Sequence, residues 1–266
     1  MKIQRLVALA AAVSLSIGLS GCAASAETAG TVDLDAPVQK DTAMSLVSSF
    51  ENSSTDWQAQ YGYLEDIADG RGYTGGLIGF TSGTGDMLEL VRAHSASSPG
   101  NPLEQYIPAL EAVNGTGSHA GLGQGFEQAW ADAAETSEFR AAQDAERDRV
   151  YFDPAVAQGK ADGLSALGQF AYYDTLVVHG PGSQRDAFGG IRAEALSAAL
   201  PPSQGGDETE YLEAFFDARN VIMREEPAHA DTSRIDTAQR VFLQNGNFDL
   251  ERPLTWSVYG DQFSLN

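Results

Sequence analysis

A mainly helical α+β domain is the fold class the sequence predicts, on three observations. Apolar residues recur at helical spacing through most of the chain, as Ala43, Leu46, Val47 and Phe50 do at i, i+3, i+4 and i+7. One stretch breaks that rhythm: "YLEDIADGRGYTGGLIGFTSG" (63–83) is rich in glycine and β-formers and predicts short strands and turns. With 42% apolar and 9% aromatic residues in 266, the chain can bury a real core as one large domain or two small ones.

The chain begins "MKIQRLVALAAAVSLSIGLSGC", with a basic start (Lys2, Arg5) followed by an apolar run too short for a good membrane span. Residues 1–21 are therefore expected to be an export signal. The run ends in "LSGC", which resembles the lipobox of bacterial lipoproteins, and Cys22, the one cysteine in the chain, stands where lipid is attached. Cleavage after "AASA" (23–26) is the rival reading. Residues 22–40 predict a solvated, flexible linker, and 41–266 a single folded domain of exported, membrane-tethered type.

A helix is expected over 41–51. Helical patterns resume at about 84–96, 102–113, 124–148, 155–178, 186–199, 208–225 and 233–244, and the tail "PLTWSVYGDQF" alternates weakly, as a strand would. No internal repeat and no long linker follow residue 40. Two helices carry charge in unusual settings. "ADGLSALGQFAYYDTLVVHG" is apolar almost all round and contains Asp174; "EYLEAFFDARNVIM" is similar and contains Arg219. An unpaired buried charge costs several kcal/mol, so an Asp174–Arg219 contact is expected, with Arg234 as a second partner for Asp174. Snorkelling of either side chain to solvent is the alternative.

Several chemistries recede. The run "GTGSHAGLGQG" (115–125) follows a helical segment instead of a strand, the wrong context for a dinucleotide-binding turn. "GGDET" (205–209) superficially resembles a nucleotide-cyclase signature, but Asp207 there is better read as a helix cap. His94, His119, His179 and His229 have no partner at metal-ligand spacing, so no metal or cofactor is expected. Losing Lys2 and Arg5 with the leader takes the net charge from −21 to −23. Such a surface repels nucleic acid, anionic lipid and anionic wall polymer and draws in cations.

Two carboxylates remain, in unlike settings. Glu51 continues the line Met44–Val47 to the end of its helix, where partial burial and the negative helix end both disfavour the ion and push its pKa up. Asp69 lies in the turn "ADGRG", two residues from Arg71, where exposure and a cation keep it ionised. A reluctant acid beside a ready base is the arrangement glycoside hydrolysis needs. A chain with 37 acidic residues contains many such pairs, so spacing alone does not decide it.

The stretch "LVSSFENSSTDWQAQYGYLEDIADGRGYTGGLIGFTSGTGDMLELV" (46–91) resembles the chitosanases of glycoside hydrolase family 46. The likeness continues through "ERDRVYFDPAVAQGKADGLSALGQFAYYD", "HGPG", "QGGDETEYL" and "DTSRIDTAQRVFL", and covers about 40–265. The resemblance implies a two-lobed, lysozyme-like fold with the substrate cleft between the lobes. It also implies endo-hydrolysis of the β-1,4 bonds of chitosan with inversion. By family motif, Glu51 of "ENSS" is the acid, Asp69 of "DGRGYT" the base, and Thr74 helps hold the attacking water. Substrate contacts fall on Tyr63, Arg71, Asp86, His179 and Glu226, and a buried network on Asp174, Arg219 and Arg234. The cations of that network oppose the upward push on Glu51. The expected partners are chitosan and glucosamine oligosaccharides, with the protein a monomer. "EEPAHAD" departs from some relatives at Ala230, which puts one outer contact in doubt, and the lipid anchor is a second departure. A muramidase and a binding lipoprotein without turnover are the rival readings.

Overall fold

A computed structural model describes residues 32–226 and 230–266, so the leader and Cys22 lie outside the described residues. The first helix, α1 (Pro37–Asn52), begins four residues before the expected start at 41. Proline fits the first turn of a helix, where its missing N–H is not needed. Just before it, Leu34 is fully buried and its N–H donates to Gln169 Oε1 at 2.9 Å. The last residues of the expected 22–40 linker are thus part of the fold.

The β-like segment folds as a small antiparallel sheet of β1 (Leu64–Glu65), β2 (Thr74–Gly75) and β3 (Phe80–Thr81), in that order. Glu65 pairs with Thr74, and Thr74 pairs on its other side with Thr81. Asp69 and Arg71 therefore sit on the β1–β2 loop, with Thr74 in the central strand beneath it.

Four helices follow: α2 (Asp86–Ser97), α3 (Ile107–Val113), α4 (Gln124–Ala134) and α5 (Ser137–Arg147). The single helix expected over 124–148 breaks at Glu135–Thr136, because the Thr136 hydroxyl accepts the Phe139 N–H and restarts the helix. From α5 the chain passes through a π turn (Asp148–Phe152) into α6 (Asp153–Asp162) without a gap. The pattern at 155–178 also divides. Gly163 takes the left-handed conformation (φ 76°) that ends α6, and Ser165 caps α7 (Ala166–His179) by accepting the Gly168 N–H.

α8 (Phe188–Ala198) packs along α9 (Glu208–Glu225), whose bounds match the expected 208–225. Asp207 caps α9 by accepting the Glu210 N–H at 3.0 Å. A second π turn (Ile235–Gln239) leads into α10 (Arg240–Gln244), and the tail forms a hairpin of β4 (Leu254–Val258) and β5 (Asp261–Leu265).

Buried apolar residues divide into two cores. One draws on 61–139, including Phe80, Val91, Trp130 and Phe139; the other on α1, α6 to α10 and β4, including Phe50, Phe170, Phe216 and Trp256. The continuous α5–α6 rod spans both, with Phe139 in one and Phe152 in the other. Trp57 packs against both, and Arg147 lies over its ring at 6.0 Å. This is the mainly helical, two-lobed α+β arrangement that the sequence predicts. Among the described residues no helix is long and apolar enough to cross a membrane.

Candidate active site

Each lobe carries one of the two carboxylates singled out in the sequence. Glu51 is the penultimate residue of α1, a helix fixed by burial of Met44, Leu46, Val47 and Phe50. Ser53 then turns left-handed (φ 53°) and ends the helix, leaving the Glu51 side chain 32% exposed. Its Oε1 accepts from Arg234 Nη2 at 2.8 Å.

Behind Glu51 lies the buried network expected from charge. Asp174 is fully buried and accepts from Arg219 Nη1 at 2.6 Å, Arg234 Nη2 at 2.6 Å and Gln239 Nε2 at 2.8 Å. Arg219 Nη2 also donates to the Asp174 carbonyl at 3.2 Å. Burial works against the Asp174 charge, but the two guanidiniums outweigh it and hold the carboxyl below the usual range. Neither side chain snorkels. Arg234 is thus shared: one nitrogen bridges Glu51 and Asp174, and its guanidinium lies 5.1 Å over the Phe50 ring. Gln239 and Phe50 are parts of this arrangement that sequence reasoning missed. Gln239 sits in the π turn five residues after Arg234, a spacing with no helical signature.

On the opposite lobe, Asp69 is gripped by its own loop. Arg71 donates from its backbone N–H to Oδ1 at 3.0 Å and from Nε to Oδ2 at 2.7 Å, with Nη2 2.6 Å from Oδ2. Partial burial opposes ionisation, but the Arg71 bonds and charge prevail, so the carboxyl lies below its ordinary value. The loop is held from behind by the glycine-rich run at 115–125. A side-chain carbon on Gly117 would lie 2.7 Å from the Gly70 carbonyl, so only glycine admits the contact. Gly83 N–H donates to the Arg71 carbonyl and Gly115 N–H to the Gly83 carbonyl, each at 2.8 Å. His119 packs against Tyr73 with ring centroids 4.3 Å apart and planes tilted by 38°, its Nε2 3.5 Å from Asp66. Of the glycines in this run, Gly117 serves close backbone packing.

Thr74 is buried, and among the described residues its hydroxyl has no hydrogen-bond partner. A buried hydroxyl with no protein partner is a ready place for an ordered water. Tyr63, which follows a short 3-10 turn, donates its hydroxyl to Glu65 Oε2 at 3.3 Å. Asp86 opens α2. Its Oδ1 accepts from the Thr81 N–H at 2.9 Å, the Thr84 hydroxyl at 2.7 Å and the Met87 N–H at 3.0 Å, while Oδ2 takes part in none of these bonds. His179 ends α7, with Nδ1 3.8 Å from Glu226 Oε1. Tyr63, Arg71 and Asp86 thus belong to one lobe and His179 and Glu226 to the other.

Residues 45–254 match the family model described as glycosyl hydrolase family 46. The chain belongs to that family. It is therefore a glycoside hydrolase. A chitosanase from Streptomyces sp. (strain N174) is 58% identical over 257 residues, spanning 97% of this chain and 92% of its own. A co-crystal structure of a chitosanase with substrate aligns at TM-score 0.87 and 98% identity, over 89% of this chain and 100% of that one. The Gynuella sunshinyii chitosanase in complex with chitotetraose aligns at TM-score 0.77 and 36% identity, over 86% of this chain and 97% of that one.

Proposed function

We propose that this glycoside hydrolase is an endo-acting chitosanase that cleaves β-1,4 bonds with inversion, Glu51 acting as general acid and Asp69 as general base. The observation that carries the reading is the contrast between the two carboxylates. Asp69 is tied to Arg71 and kept ionised on one lobe, while Glu51 ends α1 on the other and is bonded to Arg234. Protonated Glu51 gives its proton to the leaving glycosidic oxygen. Asp69 takes a proton from a water held by Thr74, and that water attacks the anomeric carbon from the opposite face. Arg234, bonded to Glu51, stabilises the carboxylate left after proton donation.

The substrate class rests on charge and kinship. Asp86 and Glu226, one on each lobe, suit the ammonium groups of glucosamine, and a net charge of −21 favours a polycation over an anionic wall polymer. Tyr63, Arg71 and His179 complete the proposed sugar contacts. Ala230, exposed, stands where some relatives carry an acid, so one outer contact is weakened. The protein acts as a monomer, exported and tethered through a lipid on Cys22; metabolic labelling with a palmitate analogue tests the anchor.

The test of function is release of reducing ends from chitosan by wild type and Glu51→Gln, with peptidoglycan assayed alongside. The expected result is chitosan cleavage by wild type and loss of turnover in the variant with oligosaccharide binding retained. Near-normal turnover by the variant overturns the assignment of Glu51. Preferred cleavage of peptidoglycan overturns the substrate.

A further inference from the structure

α8 and α9 run side by side and enclose a groove of about 700 Å³, within the range of small-molecule sites. Its floor is apolar, with Ile191, Ala198, Ala214, Ala218 and Ile222 among its lining residues. Asp217 and Val221 line the groove, each two residues from Arg219, hence about 200° round the helix from it. Arg219 points inward to Asp174. The groove therefore opens on the face of α9 turned away from the catalytic network.

The charges around it are unevenly committed. Arg185, at one end, gives both terminal nitrogens to Glu225, and Asp217 is held by Arg240. Glu194 on α8 lies within the field of Arg185 but, among the described residues, makes no side-chain hydrogen bond or ion pair; nor does Glu210 on α9. An apolar floor between two uncommitted carboxylates complements a ligand with cationic groups and an apolar face.

We propose that this groove is a second binding site for the polymer, taking a short run of glucosamine units. Their ammonium groups meet Glu194 and Glu210, and their apolar faces lie on the alanine and isoleucine floor. The proposal rests on the chitosan reading above. A second copy of this chain fits less well, because each copy carries a net charge of −21. Arg185 lines the groove and pairs with Glu225, the residue before Glu226, a proposed cleft contact, so a long chain leaving the cleft beside Glu226 can continue into the groove. Long polymer then engages both sites, and a short oligosaccharide bound in the cleft gains nothing from the second.

The test compares long chitosan with the glucosamine hexamer in two variants: Glu194→Gln/Glu210→Gln, and Ala214→Trp, which fills the groove. Both are expected to raise KM several-fold on the polymer at low salt, with kcat and all hexamer kinetics unchanged. For the glutamine pair the difference disappears at high salt. Unchanged polymer KM in both variants overturns the proposal. Failure of wild type to cut either substrate refutes the chitosanase reading instead. Titrating ¹⁵N-labelled Glu51→Gln with tetramer gives the second measurement. A separate, saturable set of shifts along α8 and α9 supports the site. Shifts there that depend on protein concentration without sugar assign the groove to a second copy and overturn it.

Discussion

Replacing Asp174 with asparagine keeps the side-chain shape and removes the one anion that two fully buried guanidiniums share. Asp174 receives three side-chain hydrogen bonds of 2.6 to 2.8 Å, two of them charge-assisted at both ends. In the variant, the amide oxygen can still accept from one guanidinium, but the amide nitrogen faces a donor. Arg219 loses its counter-ion and Arg234 keeps only Glu51. Breaking a buried ion pair by deleting one partner costs about 3–5 kcal/mol. At about 2–4 °C per kcal/mol for a domain of this size, Tm is expected to fall by roughly 6–20 °C. Urea unfolding at pH 7, followed by tryptophan fluorescence with the m-value checked for constancy, measures the change. Since the folded pKa lies below the unfolded value of about 3.9, the stabilisation is fully present above about pH 4. It is lost as pH falls through the folded value, so the gap between wild type and variant should narrow in acid. A destabilisation below about 1 kcal/mol at pH 7, or a gap that does not narrow, would refute an ionised Asp174 at the centre of the network.

Other outcomes follow from the site. Arg71→Gln removes the cation that keeps Asp69 ionised, so the acid limb of kcat/KM, which would mark loss of the proposed base's charge, should move to higher pH; a limb that stays put contradicts the clamp. Thr74→Val should lower kcat by about 10-fold or more while leaving oligosaccharide affinity near wild type in calorimetry; equal losses in both point to a packing role instead. Gly117→Ala forces a carbon against the Gly70 carbonyl, and the displaced Asp69 loop should cost about 10-fold or more in kcat with little change in Tm. Full activity in that variant would show that Gly117 does not position the proposed base.

The helices were legible where apolar spacing and a cap agreed. α9 matched because Asp207 caps it and its buried face runs through Phe215, Phe216 and Arg219. Boundaries failed where one local event interrupts a continuous pattern: the left-handed Gly163, and the Thr136 cap that restarts a helix after a two-residue break. The start of α1 is hidden because Leu34 lies between two aspartates in a segment with no helical period, with nothing in its spacing to show that it docks beside Gln169. At the site, Asp69 and Arg71 could be paired because they are two residues apart, and Asp174 and Arg219 because a buried charge demands a partner. The Arg234–Glu51 bond joins residues 183 apart in sequence, a contact periodicity cannot reveal. Gln239 was missed for a related reason, and the packing of the glycine run against Gly70 is steric and carries no residue pattern of its own.

In the proposed mechanism, Asp69 directs water to the face opposite the bond that Glu51 helps to break. Proton NMR of chitosan oligosaccharide hydrolysis, recorded within the first minutes before mutarotation, tests it most directly. The α-anomer of the new reducing end is expected to appear first and decay toward equilibrium. Initial accumulation of the β-anomer would contradict it, and would require a covalent intermediate on one of the two carboxylates.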